Sequence, residues 1–222
     1  MKVEIWSDVA CPWCAIGTRR IAAALERFPH EVEVRYRSFE LDPSAPRGYE
    51  GDRTERLAAK FGSDVAQVRA MEARVAGIAA EDGLELRFDR ARDGNTVDAH
   101  RLLHLAWELG GTALQSRVKS ALVTALFTDG EPIGDADALR RVAVAAGLPP
   151  SDVDRVLGSD EYLDAVREDE ARARRYGISG VPFFVIDGRY GLSGAQPADT
   201  LVQALERAWD EAQAGTPSGN AR

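Results

Sequence analysis

Apolar residues alternate with a period of two near both ends of the chain and recur with a helical period between them. Lys2 to Ser7 holds Val3, Ile5 and Trp6 and reads as a short strand, and Pro12 to Phe28 reads as a helix. Glu31 to Phe39 alternates Val32, Val34 and Tyr36 against Glu33, Arg35 and Arg37, which predicts a second strand and closes a βαβ unit. Asp42 to Gly48 is a loop rich in Pro, Gly, Ser and Asp. From about Arg53 the period turns helical and stays so. The predicted helices are Thr54 to Phe61, Val65 to Glu81, Val97 to Leu109, Leu114 to Thr128 and Ala136 to Ala146, with a short piece near Val153 to Leu157. Glu161 to Tyr176 is a further helix, closed by Gly177. Val181 to Ile186 is an apolar run fit for a buried strand, Asp187-Gly188 is a hairpin signal, and Arg189 to Leu192 is the partner strand. Pro197 to Ala212 is the last helix, and 214–222 reads as a disordered tail of Gly, Ser, Thr and Pro.

Composition narrows the field. The chain has 222 residues, 45% hydrophobic and 29% charged, enough to bury a sizeable core. A net charge of -8 argues against nucleic acid as the main partner, because neutralising phosphates needs a basic face. No segment has the length of a membrane span, and residues 1–10 lack the apolar stretch of a signal peptide, so a cytoplasmic protein is expected. Nothing in the sequence sets an oligomeric state.

The candidate chemistry sits at Cys11-Pro12-Trp13-Cys14, which contains the only two cysteines of the chain. Pro12 lacks an N–H and has a fixed φ, which suits the first helical position and makes Cys11 the cap. A sulfur there faces unpaired backbone N–H groups and the positive end of the helix dipole, and both favour thiolate. A pKa moved from about 8.5 to about 6 raises the thiolate share at pH 7 from roughly 3% to roughly 90%. Cys11 is therefore the expected nucleophile. Cys14, one turn on, is the expected resolving thiol. Trp13 supplies no positive charge to the pair, and a reduction potential between about −270 and −120 mV is expected. Zinc is a poor alternative, since the two cysteines with His30, His100 and His104 make no recognisable ligand set. A pair of inert buried cysteines is the plainer alternative.

The element order is that of an α/β thioredoxin fold with an all-helical domain inserted after the first βαβ unit. Its expected parts are 1–50 and 161–213 for the thioredoxin-like domain and 51–160 for the insertion. Ser7-Asp8-Val9-Ala10-Cys11-Pro12-Trp13-Cys14, Phe39-Glu40-Leu41-Asp42-Pro43, Asn95-Thr96, Ala99-His100-Arg101-Leu102, Gly180 to Val185 and Ser193 to Pro197 together resemble the DsbA-like oxidoreductases of the FrnE type. The resemblance covers nearly the whole chain except the tail. It implies dithiol-disulfide exchange with protein or peptide partners, no bound cofactor, and a cis Val181-Pro182 bond facing the cysteines. Locally, Pro182 also reads as an ordinary strand start. A cis bond would turn the Val181 backbone outward to pair with an extended partner chain.

Cys11 and Cys14 are thus the expected catalytic pair, with Pro12, Trp13, Val181, Pro182 and His100 as expected substrate contacts. Glu40, at the end of the second strand, is a candidate proton shuttle for Cys14, against the plainer reading of a solvated strand end. His100 and His104 are spaced i, i+4 but lack a third metal ligand, so packing is the plainer reading. Asn95 or Thr96 is expected to cap the following helix. The architecture also resembles kappa-class glutathione transferases and 2-hydroxychromene-2-carboxylate isomerases, which usually carry serine at the Cys11 position. That keeps glutathione as a candidate co-substrate and a glutathione-dependent isomerase or transferase as an alternative. A redox-switched binding protein is the third class.

Overall fold

A computed structural model describes residues 1–214. The tail at 214–222 otherwise lies outside the described residues. Four strands, β1 (Lys2–Ser7), β2 (Glu33–Ser38), β3 (Phe183–Ile186) and β4 (Tyr190–Ser193), form one sheet in the order β2-β1-β3-β4. β1 and β2 are parallel, pairing Ile5 with Tyr36, and the connecting helix α1 (Pro12–Arg27) completes the βαβ unit. β3 runs antiparallel to both β1 and β4. The helices between β2 and β3 are α2 (Arg53–Phe61), α3 (Val65–Glu81), α4 (Val97–Thr124), α5 (Ala136–Ala145), α6 (Pro150–Leu157) and α7 (Leu163–Arg175); α8 (Ala198–Ala214) follows β4. The fold is thioredoxin-like, with a helical insertion between β2 and the C-terminal strands.

Alternation along β1 assigns its two faces. Val3 and Ile5 pack with Ile21, Ala24, Val34, Tyr36, Phe184, Leu201 and Leu205, so α1 and α8 cover one side of the sheet. Glu4 and Trp6 point to the other side, where α7 lies. There the Trp6 indole donates to the Asp169 carbonyl at 2.9 Å. Arg37 bonds Glu4 and, at 3.0 Å, Asp169, while Arg172 reaches Glu4 at 2.6 Å. Glu4, Arg37, Asp169 and Arg172 thus set opposite charges against one another, as burial requires.

The insertion builds a second core around Leu102, Leu105, Leu122, Leu126, Phe127, Leu139 and Val153. Its central element, α4, is divided by Gly110 and Gly111, whose φ of 55° with ψ of -147° suits glycine. The two arms match the helices predicted over Val97–Leu109 and Leu114–Thr128. The second arm runs into a π-helical turn, Ala125–Asp129, closed by Gly130 at φ 76°.

That second arm also closes the outer edge of the sheet. The Thr112 hydroxyl accepts from the Val34 N–H at 3.1 Å and donates to the Val34 carbonyl at 2.8 Å. The Gln115 amide accepts from the Tyr36 N–H at 2.8 Å and donates to the Tyr36 and Leu103 carbonyls at 3.0 and 3.1 Å. Side chains thus take the place of a fifth strand along β2.

Several boundaries move for identifiable reasons. α7 starts at Leu163 rather than Glu161 because Tyr162 takes a left-handed φ of 64°, its hydroxyl bonded to Glu108 at 2.7 Å. α6 starts earlier than predicted, at Pro150, where a proline in the first turn loses no helical bond. β2 begins at Glu33 and β3 at Phe183, since Pro182 has no N–H to enter the ladder. The hairpin turn forms as predicted, with Asp187 and Gly188 both at positive φ and the Arg189 N–H donating to the Ile186 carbonyl at 3.0 Å. Asn95, rather than Thr96, supplies the side-chain bond at the start of α4, to the Val97 N–H. Asn95 also ties down the Asp42–Gly48 loop through the Ala45 carbonyl at 3.2 Å and the Pro46 carbonyl at 2.8 Å.

Gln115 is fully buried and all three of its bonds lie at the β2 edge or within α4. Gln115→Ala leaves the Tyr36 amide without a partner, and about 3 kcal/mol of lost stability is expected, or roughly 6–12 °C in thermal melting. A melting shift under about 2 °C would show that water takes over the edge.

Candidate active site

Cys11 caps α1 with φ -96° and ψ 112°, and Pro12 takes the first helical turn, as the sequence predicts. The Cys11 sulfur accepts the Cys14 N–H at 3.3 Å and lies 3.7 Å from the Val181 carbonyl. The Val181-Pro182 bond is cis. Pro182 seats on α1 at Gly17, where an added Cβ would come within 2.9 Å of the Pro182 ring, so this position needs glycine for lack of space. The Pro182 carbonyl is held by the Gly194 N–H at 2.8 Å. Trp13 is 40% exposed and Leu41 is exposed, while Cys11 shows only 4% of its surface and Cys14 none.

The electrostatics separate the two thiols. The Cys14 thiol donates a hydrogen bond to the Cys11 sulfur, and this bond with the Cys14 N–H lowers the Cys11 pKa against the opposing effects of burial and Asp8. Burial pushes the Cys14 thiol well above its ordinary value, and the bond to Cys11 and the charge of the Cys11 thiolate push it further. Cys11 therefore ionises first and Cys14 keeps the proton.

Two charged residues without an assigned role in the sequence lie beside the pair. Asp8, at the end of β1, is buried, and burial opposes its ionisation. His100, the Leu41 N–H at 2.8 Å and Lys119 outweigh that cost and hold its carboxyl below the usual carboxylate range. Lys119, on the second arm of α4, is fully buried, and its ammonium has no hydrogen-bond partner. Burial lowers its pKa, while Cys14, Asp8 and Cys11 act through space to keep it protonated. Its charge in turn favours ionisation of both thiols.

Cys11, Pro12, Trp13, Cys14, Val181 and Pro182 come together around the sulfur. His100 lies deeper: it is buried, with Nε2 3.4 Å from the Asp8 carboxylate, rather than on the cleft surface. Glu40 is no solvated strand end. It is buried and bonded by Arg167, and burial raises its pKa while Arg167 and His100 oppose the rise. The groups acting directly on the sulfurs are Asp8 and Lys119. His104 bonds Ser38 at 3.1 Å and Asp169 at 3.2 Å through the same Nε2, an arrangement that anchors α7 to β2. Lys119 was legible in principle, because Gln115, Lys119, Leu122 and Leu126 share one helical face and a lysine on that face calls for an explanation. Asp8 carried no comparable mark beyond closeness to Cys11.

The signature of the DSBA-like thioredoxin domain matches residues 2–206. The chain belongs to that family. A probable DsbA oxidoreductase from Streptomyces coelicolor is 43% identical to this chain with a TM-score of 0.90, the match covering 100% of this chain and 94% of that one. The protein YwbO of Bacillus subtilis is 26% identical over 208 residues, 92% of this chain and 96% of its own. A 2-hydroxychromene-2-carboxylate isomerase shares the fold at 16% identity and a TM-score of 0.71, covering 97% and 100% of the two chains. By family and motif this is a DsbA-like oxidoreductase with Cys11 and Cys14 as its CxxC pair.

Because the Cys11 pKa is depressed, its alkylation rate should level off at a pH below that of free cysteine. Lys119→Met removes a charge that favours the thiolate, so the plateau should move to higher pH and reactivity at pH 7 should fall up to about tenfold. Iodoacetamide kinetics in a Cys14→Ser background measure this, and superimposable curves would remove Lys119 from the site.

Proposed function

We propose that this DSBA-like protein is a thiol-disulfide oxidoreductase of the FrnE-like branch, acting on protein or peptide disulfides in the cytoplasm. The observation that carries this reading is a Cys11 sulfur held at a helix start, where it accepts the Cys14 N–H at 3.3 Å with the second thiol one turn on. The Cys11 thiolate attacks a substrate disulfide, forms a mixed disulfide and expels one substrate thiolate. Cys14 then gives up its proton and attacks the Cys11 sulfur, releasing the second substrate thiol and leaving Cys11 and Cys14 bonded. The reverse sequence oxidises a dithiol substrate.

The electrostatic coupling of the two thiols explains the order of events. While Cys11 is a thiolate, it holds Cys14 protonated. Once Cys11 is in a mixed disulfide its charge is gone, and the influences left on Cys14 include Lys119 and the Asp8 N–H, both favouring ionisation. The resolving thiol becomes more acidic at the step that needs it.

Trp13, Leu41 and the Val181 backbone form the rim on which an extended partner lies, with Pro12 and Pro182 behind it. Glutathione fits the same rim as a small co-substrate, and no cofactor is needed. The isomerase or transferase alternative is disfavoured by a cysteine at position 11, where the families it resembles usually carry serine. A redox-switched binding protein requires no turnover and is separated by assay.

Insulin reduction by dithiothreitol should be accelerated by the wild-type protein and reduced to background by Cys11→Ser; equal activity in the two would refute the assignment. Equilibration with glutathione should give a potential between about −270 and −120 mV. A value well below that span would mark the pair as a static crosslink.

A further inference from the structure

Resting on the dithiol reading, we infer that Asp8 is a positioning residue for protein substrates: its carboxylate ties the turn that carries Cys11 to the Leu41 backbone and so fixes where the apolar rim stands relative to the dithiol. Asp8 lies between β1 and α1 and is 1% exposed. Its charge opposes ionisation of Cys11, so thiolate chemistry alone gives no reason for a carboxylate at this point. Burying an anion is costly as well. A group kept there against both costs has another use, and its contacts show which.

On the dithiol side, Asp8 Oδ1 accepts the Ala10 N–H at 3.3 Å in an Asx turn, and the Asp8 carbonyl accepts the Cys11 N–H at 3.4 Å. These bonds shape the turn that leaves Cys11 as the cap of α1. From the first arm of α4, His100 Nε2 stands 3.4 Å from the same Oδ1. On the rim side, Oδ2 accepts the Leu41 N–H at 2.8 Å, the shortest of these contacts. A backbone N–H bonded to an ionised carboxylate makes one of the stronger hydrogen bonds a protein contains.

The Leu41 side chain is 49% exposed even though its own amide is bound to a buried group. The next residue holds the segment from outside. The Asp42 carboxylate accepts from Lys60 of α2 and from the Ser44 hydroxyl, both at 2.8 Å, and from the Tyr49 hydroxyl at 3.4 Å. Lys60 is half exposed, and an ion pair of that kind holds weakly. The Leu41 bond to Asp8 is therefore the inner and firmer anchor. An extended polypeptide whose cysteine reaches Cys11 also meets Trp13 and Leu41, whereas a small disulfide needs only the sulfur.

Insulin reduction and thionitrobenzoate release from Ellman's reagent separate the two requirements. Asp8→Asn should raise KM for insulin about tenfold with kcat within about twofold, because the single amide oxygen cannot serve both the Ala10 and the Leu41 N–H groups. The first thionitrobenzoate release at mildly acid pH should be faster, since a charge opposing the Cys11 thiolate is gone. Leu41→Ala should raise the same KM, and the double variant should be no worse than the more affected single variant, as two parts of one contact require. Additive losses, equal slowing of both reactions, or an unchanged KM in Asp8→Asn would overturn the inference. The wild-type protein supplies a reading that needs no variant: the Leu41 amide should exchange with deuterium at least about a hundredfold slower than an open amide, and fast exchange would also overturn it. A wild-type protein inactive toward both insulin and Ellman's reagent would instead overturn the oxidoreductase reading.

Discussion

One proton, for which two neighbouring sulfurs compete, is the constraint on which the site depends. It stays on Cys14 because that thiol is the more deeply buried and because Cys11 offers a charged acceptor at a helix start. The competition gives one reactive and one silent thiol from chemically identical side chains. It also makes the silence conditional, since it ends when Cys11 becomes covalently occupied. The dithiol chemistry follows from geometry that the first turn of α1 imposes on any cysteines three apart, refined by surroundings that this chain supplies.

Those surroundings come from segments remote in sequence. The end of β1 brings Asp8, the loop after β2 brings the Leu41 N–H that fixes it, and the Val181 carbonyl approaches from before β3. The two arms of α4 add His100 and Lys119. The insertion therefore furnishes the interior of the active site as well as a wall beside it. On the opposite face, the Glu4, Arg37, Asp169 and Arg172 pairs lock α7 against the sheet, and the Glu40 and Arg167 pair extends that contact toward the dithiol.

Most of the fold was legible because hydrophobic periodicity and turn chemistry are local. The strands, the α1 cap, the Asp187-Gly188 hairpin and the break near Gly110-Gly111 all follow from neighbouring residues. The boundaries that moved depended on long-range partners, such as Glu108 holding Tyr162 in a left-handed conformation. At the site, Cys11, Cys14 and the cis proline were marked by motif and resemblance. Lys119 and Asp8 were harder to find because a buried charge is specified by what surrounds it in space, and their neighbours lie on different elements. Glu40 drew attention by position, but its burial and its pairing with Arg167 arise only when α7 docks.

The hydrogen bonds from Thr112 and Gln115 to β2 carry a mechanical implication. A helix that serves as the missing neighbour of a strand cannot swing away without stripping partners from the main chain. The insertion is thereby riveted to the sheet and is unsuited to open and shut over a guest. On the function proposed above, discrimination among guests falls instead to the fixed relief around Trp13 and Leu41, and changes in the helical block would alter acidity inside the protein before they altered what it can grip.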